Sequence, residues 1–313
     1  MGGGGGWDYD YSESALKKSS KEYAEEAKKE GVVREYEGKE SRGIPPPVGR
    51  TISTDSPTPL VVAVDVTGSM GEWPKIIFEK LPVLYNEAKL HIPDVEISFA
   101  AIGDANVDNF PLQVCDFRKG KDLEEGINSI FPEGGGGAGT KESYELAAYF
   151  YARHCQMKKD AAPIFVFCGD EGYYETIKAA AVSRMTGDVP AGDLRAGDVF
   201  KELLQKFTVY NLRLEYKNAQ KEEEIRQQWE ETLGKQMVLK LEDPRRIVDA
   251  IIGLVAVARE DIDAFSKRIS IRQTPEQVEQ VMKTLHPLLA RGKTGAPGPK
   301  KASKRGTKKA SRT

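Results

Sequence analysis

The sequence contains little cysteine and little histidine, with three residues of each among 313. The cysteines, Cys115, Cys155 and Cys168, lie in hydrophobic surroundings. An odd and sparse set of this kind favours reduced core thiols over a disulfide framework, and it predicts a cytoplasmic protein. The histidines are scattered, and neither an HxxxH nor a CxxC spacing occurs, which argues against a zinc site.

Long apolar runs and a secretory leader are also missing. No apolar stretch approaches the ~18 residues that a membrane-spanning helix needs, so we expect no transmembrane segment and no membrane contact. The opening residues, MGGGGGWDYDYSE, lack a basic stretch followed by an apolar one, so we expect no secretory signal. Myristoylation is not expected either, because Gly6 stands where the pattern needs Ser or Thr.

Basic charge is concentrated at the C-terminal end. Nine Lys and Arg and no acid occur from Arg291 onward, so residues 1–290 carry a net charge of −11 against −2 for the whole chain. The segment 291–313 is rich in Lys, Ser, Gly and Pro, and we predict that it is disordered. It is either a weak arm for a polyanion or nucleic acid, or a solubilising or docked tail.

Composition divides the rest of the chain into three parts. Residues 1–57 are predicted to be a flexible arm and a proline-rich extended linker. Residues 58–258 alternate apolar strands with helices and form the expected domain. Residues 259–290 are an expected helical extension, whose last helix begins at TPEQ, a capping box with Thr274 as N-cap and Gln277 three positions later.

The strands of the domain read as continuous apolar runs, which indicates burial on both faces. The predicted strands are Leu60–Val66, Val95–Ile102, Leu112–Phe117, Pro163–Cys168, Val209–Tyr216 and Met237–Leu241. The predicted helices are Trp73–Leu90, Leu123–Ile130, Ser143–Cys155, one from Tyr174, one through Phe200–Phe207, Glu222–Leu233 and Pro244–Ala258. This alternation predicts a doubly wound, Rossmann-like α/β fold with a mostly parallel sheet. The link from Ile102 to Leu112 is too short for a helical crossover, so those two strands should be an antiparallel hairpin at one edge.

Oxygen-bearing side chains occur in three segments that this topology brings to one edge of the sheet. Asp65, Thr67 and Ser69 belong to DVTGSM after the first strand, Thr140 to EGGGGAGT, and Asp170 to GDEG after PIFVFC. Ligands bind beyond the carboxyl ends of parallel strands, so we expect these five side chains to meet there. All are hard oxygen donors, which favours Mg²⁺, with Mn²⁺ as a substitute. With two carboxylates at most, the ion still attracts an anion, and a Glu or Asp of a partner protein can fill its open position.

The three segments resemble the von Willebrand factor A (VWA) family and its metal-ion-dependent adhesion site (MIDAS). The family pattern of DxSxS, a Thr in a glycine-rich loop and a later Asp reads here as DVTGS, GGAGT and FCGD, within about residues 58–258. The resemblance implies a Mg²⁺-dependent protein-binding module without catalytic residues. It also implies Thr67 and Ser69 as direct ligands, Thr140 as a ligand that engages on partner binding, and Asp65 and Asp170 as ligands directly or through water. Two positions depart from the family pattern: Thr67 replaces the commoner Ser, and Glu171 replaces the usual Gly.

Two other interpretations of DVTGSM stay open at this stage. The motif is similar to the DxTGT motif of haloacid-dehalogenase-like phosphohydrolases, in which Asp65 would be the nucleophile and Thr67 the phosphate anchor. Against this, Thr67 stands where the hydrolases need a second Asp, and Tyr174 stands where they need a carboxylate. P-type pumps share the motif, but Val66 stands where they need Lys. A purely structural domain with a vestigial site is the other possibility.

Aromatic residues next to the predicted metal loops are candidates for partner binding. Trp73, Tyr173 and Tyr174 flank DVTGSM and GDEG, and exposed aromatics of this type often dominate binding energy. If they are exposed, they would lie at the rim of the site and contact the partner. The alternative is that they pack into the core.

Overall fold

The computed structural model describes residues 20–29, 35–68, 70, 72–134 and 139–291. Residues 1–19 of the predicted N-terminal arm, the predicted tail after Arg291 and the ligand candidate Ser69 therefore lie outside the described residues.

A six-stranded sheet forms the centre of the molecule. Its strands are β1 (Leu60–Asp65), β2 (Ile97–Ile102), β3 (Leu112–Val114), β4 (Ile164–Gly169), β5 (Thr208–Arg213) and β6 (Val238–Lys240). Their order is β6-β5-β4-β1-β2-β3, and every neighbouring pair is parallel except β2 and β3. The strand order reverses between β1 and β4, which is the switch point of a doubly wound sheet. The predicted fold class and its antiparallel edge strand are confirmed.

Helices cover both faces of the sheet. In the described part of the chain they are α1 (Ser20–Lys29), α2 (Trp73–Glu79), α3 (Leu81–His91), α4 (Asp122–Asn128), α5 (Tyr144–His154), α6 (Ala179–Thr186), α7 (Ala196–Lys206), α8 (Ala219–Leu233), α9 (Ile247–Ala258), α10 (Ile262–Arg272) and α11 (Pro275–Arg291). Side chains of α2, α3, α9, α10 and α11 form one apolar core, and those of α5 to α8 form the other. All six residues of β1, β2 and β4 are buried, as the apolar runs predicted.

Two predicted helices are wrong in extent. The helix predicted for Trp73–Leu90 is two helices that meet at Lys80, because Pro82 lies in the first turn of α3 and has no N–H for a continuous ladder. The helix predicted from Tyr174 begins at Ala179 instead. Short strands precede it, and one of them, Gly172–Tyr173, pairs with Lys141–Glu142.

The segments on either side of the domain pack against it. Ile52–Thr54, predicted as linker, pairs in parallel with Cys155–Met157. The capping box at the start of α11 is confirmed, since Thr274 N–H donates to Gln277 Oε1 over 3.1 Å and Gln277 N–H to Thr274 Oγ1 over 3.4 Å. The exact domain boundaries stay a prediction.

A buried charge network attaches the C-terminal helices to the domain. Arg272 of α10, whose side chain is 5% exposed, donates to Asp249 of α9 over 2.8 Å. Arg268 reaches both oxygens of Glu87 in α3, over 3.1 and 3.2 Å. Both carboxylates are nearly inaccessible to water, and each has two arginines within 3.8 Å, Arg246 and Arg272 at Asp249 and Arg268 and Arg272 at Glu87.

The sequence predicts neither membrane-spanning helices nor disulfides. None of the helices in the described ranges is long and apolar enough to cross a bilayer. The three cysteines are buried, unpaired thiols.

Candidate metal centre

The three predicted loops meet at the carboxyl edge of the sheet, next to the switch point. Asp65 is the last residue of β1, and Asp170 directly follows β4, the neighbour of β1. The Thr140 loop is attached to the Asp170 loop, because Gly172 N–H donates to the Thr140 carbonyl over 3.0 Å. On its other side, Ser143 N–H donates to the carbonyl of Gly103 after β2, also over 3.0 Å. Four of the five predicted ligands are thus brought to one edge, and the fifth, Ser69, lies outside the described residues.

Asp65 is fully buried, and hydroxyl and amide donors hold its carboxylate in place. Its Oδ1 accepts from the Thr67 backbone N–H over 2.9 Å and from the Thr67 hydroxyl over 2.5 Å. Its Oδ2 accepts from the Tyr144 hydroxyl over 2.9 Å. Because the Thr67 proton points at Asp65, the lone pairs of Thr67 Oγ1 remain available to a cation. Asp65 therefore suits a role in which it orients a ligand, as partners behind metal ligands do.

Gly169 makes room for the Tyr144 hydroxyl. A Cβ at this position would lie 1.8 Å from Tyr144 Oη and 3.0 Å from Asp65 Cβ. The Tyr144 ring cannot swing away easily, since it packs edge to face on Phe167 and Trp229, with centroids 5.8 and 5.2 Å away. The hydrogen bond from Tyr144 to Asp65 thus depends on a glycine at the end of β4.

Carboxyl groups crowd this edge, and the buried base beside them, Arg213, donates to the Asp170 carbonyl over 3.0 Å and pairs with Glu222 over 2.7 Å. Burial, opposed by the two Thr67 hydrogen bonds, raises the pKa of Asp65 to about 7. Burial and the charges of Asp65, Glu171 and Asp104 raise the pKa of Glu142 to about 10. Burial and the charges of Asp65 and Asp170 raise the pKa of Glu171 to about 8. A divalent cation would stabilise the charged forms of these groups.

Glu142 is a residue of this edge that the sequence reasoning missed. It is 2% exposed, and its Oε2 is buried without a hydrogen-bond partner. The only sequence signal is its position two residues after Thr140, in GTKES, where an acid looks like an ordinary residue ahead of a helix.

The donor set fits a hard divalent cation that is bound by mixed oxygen ligands. No three Asp, Glu, His or Cys side chains among the described residues form a metal cage by themselves. The site instead combines the carboxylates of Asp65 and Asp170 with the hydroxyls of Thr67 and Thr140. Mg²⁺ prefers oxygen donors and keeps several waters, so few carboxylates are sufficient. The buried Oε2 of Glu142 has no hydrogen-bond partner among the described residues.

Two of the three aromatic residues proposed for partner binding are not exposed. Trp73 is 2% exposed and belongs to the core under α2, and Tyr173 is 6% exposed and packs between Phe200 and Trp229. The partner-binding role predicted for these two positions is therefore wrong as a surface contact, and the alternative holds, because both rings fill core space beneath the loops. Tyr174 is partly buried, and its hydroxyl donates to Asp104 Oδ2 over 2.9 Å.

Comparison with protein-family models and with curated proteins gives no significant match. Among solved structures, the chain is similar to the pilus adhesin SpaC from Lactobacillus rhamnosus GG in its open conformation, with a TM-score of 0.47 and 12% identity over 70% of this chain and 31% of that one. It is also similar to proximal thread matrix protein 1 from the mussel byssus, with a TM-score of 0.44 and 11% identity over 68% of this chain and 49% of that one. A further structure of that byssus protein, with a zinc-occupied MIDAS motif, has a TM-score of 0.43 and 12% identity over 68% of this chain and 49% of that one. The chain spans a third to a half of these proteins. Structural similarities with TM-scores below 0.5 carry no argument about function.

Proposed function

We propose that this chain is a divalent-cation-dependent protein-binding module of the VWA type. In this proposal Asp65, Thr67, Ser69, Thr140 and Asp170 hold Mg²⁺, and the ion captures a Glu or Asp side chain of a partner protein. The observation that carries the proposal is the hydrogen-bonded pair of Asp65 and Thr67, placed at the switch point beside the Asp170 and Thr140 loops.

The chain's own groups prepare this site for a cation. Asp65 fixes the rotamer of Thr67, and Tyr144 fixes the carboxylate of Asp65 from the other side. The rigid ends of β1 and β4 support both loops, and a site built on such elements is held more precisely than one on free loops. When bound, the ion supplies the positive charge that an acidic side chain of the partner recognises.

The phosphohydrolase alternative conflicts with the surroundings of Asp65. The hydrolases need a second Asp two residues after the nucleophile, whereas this chain has Thr67, whose hydroxyl donates to Asp65 over 2.5 Å, and the Thr140 loop has no role in that reaction. We therefore propose a binding role and no enzymatic one.

A pull-down with and without Mg²⁺ tests the proposal, with bound proteins identified by mass spectrometry. We expect a Mg²⁺-dependent partner that EDTA releases and that Thr140→Ala weakens. Thr176→Ala is the matched control, because Thr176 is exposed and lies outside the metal loops. Release of phosphate from an aryl phosphate that is lost in Asp65→Asn, together with binding that ignores EDTA, would establish the hydrolase interpretation instead.

A further inference from the structure

Glu142 lies over the end of β1, between the loops that follow the two neighbouring strands. Its backbone pairs with Tyr173 in the loop after β4. The next residue, Ser143, bonds to Gly103 and Ala105 in the loop after β2 through its backbone N–H and its hydroxyl. This places Glu142 beside the last residue of β1, Asp65.

In the described part of the chain, the surroundings of this carboxylate contain acids and no base that pairs with it. The negative charges of Asp65, Glu171, Asp104 and Asp108 all act on Glu142. The adjacent Lys141 points to Glu175, with Nζ 3.7 Å from a carboxylate oxygen, so it does not pair with Glu142.

Burying a carboxylate without a partner is costly, and proteins normally provide a hydrogen bond, a base or a metal. Among the described residues, Oε2 of Glu142 has neither of the first two, although the residue is 2% exposed and this oxygen is inaccessible to water. Glu145, three residues later, shows the contrast: it is 3% exposed, and it accepts from Tyr174 N–H over 3.2 Å. A cation at the neighbouring site is the remaining kind of partner.

We propose that Glu142 is an internal carboxylate ligand of the cation site and occupies the position that an acidic side chain of the partner takes over. This rests on the function proposed above and adds a form of regulation to it. The protein then holds its cation without a partner, and a partner's acid must compete with Glu142 for the ion. The competition lowers the affinity for isolated carboxylates, so that partners need further contacts to bind.

Mn²⁺ binding to the purified, EDTA-treated full chain tests this proposal, measured by calorimetry and by the relaxation of water protons at the bound ion. Glu142→Gln keeps the shape of the side chain and removes its charge. We expect it to weaken Mn²⁺ binding about tenfold and to add a water to the ion. Glu145→Gln is the matched control, a buried acid on the same segment, and should change the affinity less than about twofold. Glu142→Asp, which keeps the charge on a shorter side chain, replaces Glu142→Gln if that variant does not fold.

Sodium acetate serves as the probe for a partner's carboxylate. We expect acetate to displace water from Mn²⁺ at a lower concentration in Glu142→Gln than in the wild type, because the internal competitor is gone. Equal Mn²⁺ affinity and equal hydration in the wild type and Glu142→Gln would overturn the role of Glu142 and leave the proposed function standing. Equal weakening by Glu142→Gln and Glu145→Gln would also overturn it, since general charge would then be the cause. A wild type that binds no Mn²⁺ would refute the proposed function itself.

Discussion

Replacing Gly169 by alanine should damage both the stability of the protein and its metal site. The new Cβ would lie 1.8 Å from Tyr144 Oη, far closer than atoms can approach. Tyr144 is 1% exposed and is packed against Phe167 and Trp229, so the clash must displace either the ring or β4.

The expected cost has two parts. Forcing an extra methyl into a packed core costs about 1–3 kcal/mol. Losing the Tyr144 hydrogen bond to Asp65 costs about 1.5–3 kcal/mol more if the carboxylate is charged. We therefore expect Gly169→Ala to lower the free energy of unfolding by about 2.5–6 kcal/mol, as measured by urea denaturation followed through tryptophan fluorescence.

The same substitution in a Tyr144→Phe variant distinguishes this clash from a general sensitivity of β4 to a larger side chain at Gly169. Tyr144→Phe removes the hydroxyl, after which the nearest atoms to the new Cβ, on the ring and on Asp65, are 3.0 Å away. In that background Gly169→Ala should cost only about 1 kcal/mol. Gly197→Ala in α7 is the control, because its Cβ meets nothing within 4 Å, and it should stabilise the helix by up to about 1 kcal/mol. An equal cost of Gly169→Ala in both backgrounds would refute the reasoning.

Three further predictions concern charge and packing. Without a cation, the free energy of unfolding should fall by ~1 kcal/mol or more from pH 5 to pH 8. Burial raises the pKa of Asp65 from 3.8 to about 7, so the folded chain keeps a proton that the unfolded chain has lost. Urea denaturation in EDTA measures this, and a free energy of unfolding that does not change with pH would contradict it. Trp73→Ala should cost about 3–5 kcal/mol in the same assay, as expected for a buried ring, whereas an exposed one would cost little. Arg272→Ala should cost about 1.5–3 kcal/mol, because it removes a charged hydrogen bond of the buried Asp249, which keeps Arg246 and Gln273 as partners, while the exposed Arg259→Ala should be nearly neutral.

The sheet was predictable from the sequence because its strands are buried on both faces. Continuous apolar runs such as LVVAVD and IFVFCG indicate strands that are buried on both faces. The link before Leu112 is too short for a helix, and this predicted the antiparallel edge strand. Ile52–Thr54 was missed because it is only three residues long, carries polar residues and follows a proline-rich segment. Its pairing partner is about 100 residues away, and no local pattern shows that contact.

The edge that carries the site was predictable, but its surroundings were not. Strand order alone brings Asp65, Thr140 and Asp170 together. The uncompensated burial of Glu142 depends on which loops cover it, and this is a tertiary property. Trp73 and Tyr173 were assigned to the surface because they neighbour the metal loops, yet a residue next to a loop still faces the core when its helix or strand turns it inward.

Cation binding by the purified chain tests the central claim most directly. Mg²⁺ and Mn²⁺ are titrated by calorimetry into EDTA-treated wild type, Thr67→Val and Asp170→Asn, with Thr176→Ala as the control. We predict a single saturable site in the wild type and the control, weakened at least about tenfold in the other two variants. No saturable binding in the wild type, or binding that Thr67→Val and Asp170→Asn leave unchanged, would contradict the claim that this edge of the sheet is a metal-dependent binding site.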